Sequence, residues 1–113
     1  MNKGISLYFG YIYEDLEELI KDIKNAGFNC VMDSSAPKFI YQTGPFKNRI
    51  KLLAKHGIKL SSLHSRYKRD ELPHFWLDDK IGKKLEKNLI KDIKLAYKYG
   101  FTCVVCHMKC NPN

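Results

Sequence analysis

No run of roughly 20 apolar residues occurs in the chain, so no segment is long enough to span a bilayer. Nor does an apolar leader develop at the start: MNKGISLYFGYIYEDLEE turns acidic by Glu14. These two absences predict a cytoplasmic chain with no membrane partner. They also predict that Cys30, Cys103, Cys106 and Cys110 are reduced thiols, not a disulfide framework. Acids are scarce beside bases: 12 Asp and Glu stand against 20 Lys and Arg, a net charge of +8. That balance suits anionic partners such as phosphorylated metabolites or nucleic acid. Many of the lysines, however, alternate with acids in stretches such as YEDLEELIKDIKN and read as helix faces turned to water.

The 113 residues, 44% of them hydrophobic, suffice for a single small domain over 1–113 with a real core. A chain of this size buries roughly two-thirds of its unfolded surface.

One pattern recurs three times: a helix tail, a glycine, then a short β-like run. The copies are IKNAGFNCVMDS, LLAKHGIKLSSLH and LAYKYGFTCVVCH, around Gly27, Gly57 and Gly100. Glycine suits the left-handed residue that closes a helix, and lysines suit the negative end before it. The segments ahead of the glycines have helical period. Their apolar stripes run Leu16, Leu19, Ile20, Ile23, Ala26; then Phe46, Ile50, Leu53; then Ile81, Leu85, Leu89, Ile93, Ala96. Pro45 fits the first position of the second helix, and Asp78 or Asp79 can cap the third. The segments after the glycines are short and apolar and read as buried strands. A further strand, GISLYF, precedes the first helix. The order β-α-β-α-β-α-β predicts an α/β fold with a parallel sheet.

Strand parity then bears on the stretch TCVVCHMKC, which contains the haem-attachment pattern C-x-x-C-H. Side chains alternate faces along a strand, so Cys103 and Cys106 point to opposite sides and cannot clasp one haem or one metal while the strand is extended. A zinc site from Cys106, Cys110 and a histidine stays open. Cys30 and Cys103 read as small buried hydrophobes. Counting from each glycine, His64 and His107 both fall at the seventh position, at the carboxyl ends of neighbouring strands, with Ser34 as the first copy's counterpart beside Asp33. Ligands of parallel α/β proteins bind at that end, and two imidazoles in register can converge on a divalent metal. His56, in the last turn of its helix, reads as structural. The loop SRYKRDELPHFWLDD overhangs the same face. Its Arg66, Lys68 and Arg69 could hold an anion, and its Tyr67 and Trp76 could stack on a sugar or base; the alternative is a solvated loop with Phe75 or Trp76 tucked against the helices.

The line HGIKLSSLHSRY followed by FWLDDKIGKKLEKNLIKDIKLAYKYGFTCVVCHM resembles the sugar phosphate isomerase/epimerase family. This is the xylose isomerase-like TIM-barrel superfamily, which also includes deoxyribonuclease IV, an apurinic endonuclease. ISLYFGY and LEELIKDIKNAGFNCVM look like its first strand, first helix and second strand. The resemblance implies the first four strands of a (β/α)8 barrel, a half-barrel, since a whole barrel takes about 250 residues. It implies that His64 and His107 match strand-end histidines. Those are zinc ligands in the nuclease branch and line the substrate pocket in the isomerase branch. It also implies a divalent metal (Mn, Mg, Co or Zn) and a sugar or sugar phosphate substrate, for which the loop's Arg66, Tyr67 and Trp76 are the pocket candidates. The family's acidic ligands and paired glutamates lie on later strands, so the resemblance implies an incomplete site and a need for self-association or a second barrel half. Its chemistry is metal-assisted proton transfer beside a carbonyl. The alternatives are a deoxyribonuclease IV-like phosphodiesterase, which makes nucleic acid the lesser partner, and a non-catalytic half-barrel association module.

Overall fold

A computed structural model describes residues 1–7, 15–35 and 46–108. Its elements are β1 (Gly4–Ser6), α1 (Leu16–Asn25), β2 (Cys30–Ser34), α2 (Phe46–Lys55), β3 (Lys59–His64), a 3-10 turn (Leu72–Trp76), α3 (Lys80–Tyr99) and β4 (Cys103–Val105). The four strands form one all-parallel sheet in the order β1-β2-β3-β4. The fold is α/β, with the helices packed on one side of the sheet. Among the described residues, no helix is long and apolar enough to cross a membrane.

The glycine punctuation has a backbone cause. Gly27, Gly57 and Gly100 have φ of 86°, 71° and 84°, and they are the positive-φ residues among those described. Each lets the chain leave a helix and turn into the next strand without the clash that a Cβ brings in the left-handed region. At the other ends, Asp15 caps α1 by accepting from the Glu17 N–H, and Asp79 caps α3 by accepting from Gly82.

Leu16, Leu19, Ile20 and Ile23 of α1 bury against Leu7, Val31, Leu53 and Ile58. A second cluster joins Leu63, Ala96 and Phe101, flanked by Phe46, Ile50, Leu95 and Tyr99. Three details differ from the helical stripes expected. Ala26 falls outside α1 as its exposed C-cap, because Gly27 ends the helix there. Ile93 is 49% exposed, and Asp92 is fully buried in its place. The inward row of α3 runs Leu85, Leu89, Asp92, Ala96, with Leu89 half-buried, a 4-3-4 spacing that follows the helix period better. Pro45, Phe9 and Cys110 lie outside the described residues.

Among the described residues, the helices cover one face of the strands. Val31 and Leu63 lie in the helix-packed clusters, so the opposite face carries Ser6, Cys30, Met32, Ser34, Ser62, His64, Cys103 and Val105 by alternation and register. An irregularity between β2 and β3, with Val31 opposite Leu60 and Asp33 opposite Leu63, switches the side chains so that Leu60 and Leu63 both serve the core. The expectation that Cys103 is buried is corrected: its side chain lies on the uncovered face of an edge strand and is exposed, whereas Cys30 is 8% exposed. Cys103 and Cys106 are free thiols.

Candidate ligand site at the carboxyl end of the sheet

His64 is the last residue of β3, and its backbone pairs with Ser34 on one side and Val105 on the other. The seventh-position count holds between β2 and β3 but not between β3 and β4. His107 stands two residues beyond His64's partner and past the end of β4. An offset of two keeps both imidazoles on the uncovered side, and the rings meet: Nε2 to Nε2 is 2.8 Å and the centroids are 4.8 Å apart.

The bonds fix which nitrogen carries the proton. His64 Nδ1 lies 3.0 Å from the Ser65 carbonyl oxygen, which can only accept. His64 therefore donates from Nδ1, and in its neutral form presents a lone pair at Nε2. The 2.8 Å contact is then a bond donated by His107 Nε2–H. An Nδ1–H anchored on a backbone carbonyl with Nε2 free is the arrangement found in metal-bound histidines. A metal held by both Nε2 atoms at about 2.0–2.1 Å would take the place of the His64–His107 hydrogen bond: the His107 proton would sit on Nδ1, and at a tetrahedral angle the nitrogens would stand about 3.3 Å apart, a small opening of the rings. Burial holds His64 below the ordinary imidazole value of 6.5; the Ser65 carbonyl opposes that shift and the neighbouring His107 adds to it.

Tyr67 completes a cluster of three rings, 5.6 Å from His64 and 4.9 Å from His107 between centroids. Arg66 lines the cleft beside these rings, with its guanidinium engaged by Asp92. Its Nε and Nη2 donate to Asp92 Oδ1 at 3.2 and 2.9 Å, while its backbone N–H and the Ser65 hydroxyl donate to Asp92 Oδ2 at 3.1 and 2.8 Å. Asp92 thus accepts four bonds in a fully buried position and ties the chain just after His64 to α3. Its signal in the sequence is an acid within the apolar register of α3. Trp76 is 55% exposed and packs edge-on against Phe75, apart from the ring cluster. Beside that cluster, Ser65, Arg66, Tyr67, Phe75, Cys106 and His107 help line a cleft of about 20 Å³. That is room for one water, not for a sugar.

The other histidines brace the scaffold. His56 Nε2 lies 3.2 Å from Glu17, and His74 Nδ1 lies 2.7 Å from Asp79, the cap of α3. Beneath the sheet end, Arg49 Nε donates to Asp33 Oδ2 at 3.1 Å and its Nη2 to the Ser34 carbonyl, with both side chains buried. Burial pushes the Asp33 carboxyl up from its ordinary value, against the Arg49 guanidinium and the Ser34 N–H. Among the described residues, no group of three or more His, Cys, Asp or Glu is placed to hold a metal ion; the histidine pair offers two ligands. Compared with known proteins, the chain matches no family model and no curated protein.

Proposed function

We propose that the uncovered carboxyl end of the sheet binds a divalent transition metal through His64 and His107, and through it a small oxygen-rich molecule such as a sugar or keto acid. The observation that carries this reading is the anchored tautomer of His64, whose Nε2 lone pair faces His107 Nε2 at 2.8 Å. The chemistry that the resemblance to sugar phosphate isomerases and epimerases suggests is proton transfer next to a carbonyl. A metal there supplies polarisation of the substrate oxygen. His64 and His107 hold; Tyr67, whose ring lies against both imidazoles, is the proposed hydroxyl donor to an oxygen of the ligand. Arg66 is a brace for the loop, given its engagement with Asp92. A carboxylate to move the proton comes from outside the described cluster, so the pair by itself makes a weak binding site.

A phosphodiesterase reading is less well supported. Lys80, Lys84, Lys87, Lys91, Lys94 and Lys98 line the exposed side of α3, opposite its buried row, so this largest row of lysines faces away from the sheet.

The test is calorimetric titration of the metal-free protein with Zn²⁺, Co²⁺ and Mn²⁺. Weak binding with imidazole ligation in the Co²⁺ spectrum, lost in both His64→Ala and His107→Ala, is the expected result. Binding that survives both substitutions would overturn it.

A further inference from the structure

Three features meet on one side of the molecule. The first is the open edge of β4. The Ser65 N–H bonds the Val105 carbonyl, so Val105 turns its backbone toward β3 and Val104 turns its own outward. The second is an exposed apolar row on α3. Ile90, Ile93 and Tyr97 are 44%, 49% and 88% exposed, and at about 100° per residue they share one flank. Tyr99 meets Phe46 of α2 on the opposite flank, so the row faces away from α2, toward the β4 side. The third is the histidine site, which has two ligands and lies next to that edge.

The other edge of the same sheet, β1, complements it. Its strands run parallel to β4, so β1 of a second copy can lie beside β4 with all carboxyl ends on one side. The charges agree as well. Glu17 of α1 faces α2 through Lys55 and His56, leaving Glu18 on the flank turned away from α2. Beside the apolar row of α3 stand Lys83 and Lys94, with Glu86 the acid on that flank. Strand number closes the geometry: a sheet of four, with β1 and β4 outermost among the described residues, doubled through the same contact, has eight strands, a number at which a parallel barrel closes around its own side chains. The small side chains of the uncovered face, Ser6, Ser34, Ser62 and Cys103, leave room for such closure.

We infer that two copies of this chain associate head to tail, β4 of each against β1 of the other, and so bring both His64–His107 pairs to one mouth. This rests on the preceding reading only for the use of that mouth; the association stands on the edges and the apolar row.

The experiment is sedimentation of the metal-free protein across a dilution series, with far-UV circular dichroism as a fold control. A species of twice the 13.2 kDa chain mass is expected at high concentration. Ile93→Lys, at an exposed position, and Val104→Pro, which removes the outward N–H, should each weaken it by about tenfold or more. Glu18→Lys, on the opposite edge, should do the same, and Lys94→Glu should restore part of the loss. A monomer at every concentration overturns the inference, as does a dimer indifferent to Ile93→Lys. A dimer sensitive to Ile93→Lys but not to Glu18→Lys pairs like edges and overturns the head-to-tail arrangement. Metal titration of the same samples separates the two ideas: a dimer that takes no metal removes the proposed function and leaves the association, and a monomer that binds metal does the reverse.

Discussion

His64 Nε2 lies 2.8 Å from His107 Nε2, although the backbone of His64 pairs with Val105 and not with His107. A bond between two imidazoles needs at least one lone pair, so the pair cannot be doubly protonated and stay intact.

That requirement gives a pH prediction. Burial first, with the proximity of His107, lowers the folded value of His64 below 6.5. The unfolded chain then binds more protons in the window between the lowered value and 6.5, and stability rises with pH across it. The urea midpoint should fall as pH drops through that window, and His64→Gln should flatten the slope there. Glu17 is held low chiefly by His56 and then Lys55, and Asp79 chiefly by the Gly82 N–H and then His74. Their contributions are present above the ordinary carboxylate values and lost only as pH falls further, so the two windows are separable. An unchanged slope in His64→Gln would show that the ring pair does not titrate as described.

Asp92 predicts a structural loss with a local signature. Asp92→Ala leaves the Ser65 hydroxyl and the Arg66 N–H without their acceptor in a buried place, at a cost of about 2–3 kcal/mol. Asp92→Asn retains an acceptor and should lose roughly half as much. Because residues 65 and 66 directly follow His64, the His64 ring resonances should shift in both variants, and more in Asp92→Ala. Denaturant unfolding and proton NMR measure the two effects.

The Arg49–Asp33 pair is 1% and 0% exposed. Arg49→Met strands a buried carboxylate and should cost about 3–5 kcal/mol at neutral pH. Asp33 is already raised from 3.8 by burial, so the loss should grow as pH rises through its folded value and shrink in acid. The double variant Asp33→Leu, Arg49→Met should recover most of the stability. A double variant no better than Arg49→Met would mean that the charge is not the cause.

Two classes of glycine should respond differently to alanine. At Gly27, Gly57 and Gly100 a Cβ meets nothing within 4 Å, so Gly→Ala carries only the backbone cost of positive φ, about 1 kcal/mol each. At Gly82 a Cβ would run into the carbonyl oxygens of Leu77 and His74. Gly82→Ala should therefore cost more than any of the three and disturb the start of α3, visible as a lower thermal midpoint and lost helicity.

The elements themselves were legible in the order of residues. Three glycines, each closing an amphipathic stretch, announced three helix-to-strand turns, and the structure has a left-handed residue at each of them. Helix propensity, caps and positive φ depend on neighbours within a few residues, and local sequence carries them. The same holds for the β-α alternation and for the placing of His64 at a strand end. What lay beyond it depends on partners far along the chain. Asp92 is buried and Ile93 exposed because residues 65 and 66 bring the four donors that Asp92 accepts, 26 and 27 positions away. Cys103 is exposed because β4 is a strand at the edge, with the face it occupies uncovered, whereas apolar character alone reads as burial. The meeting of His64 with His107 needed both kinds of information: parity along each strand, which is local, and the two-residue offset between β3 and β4, which only strand pairing in three dimensions decides.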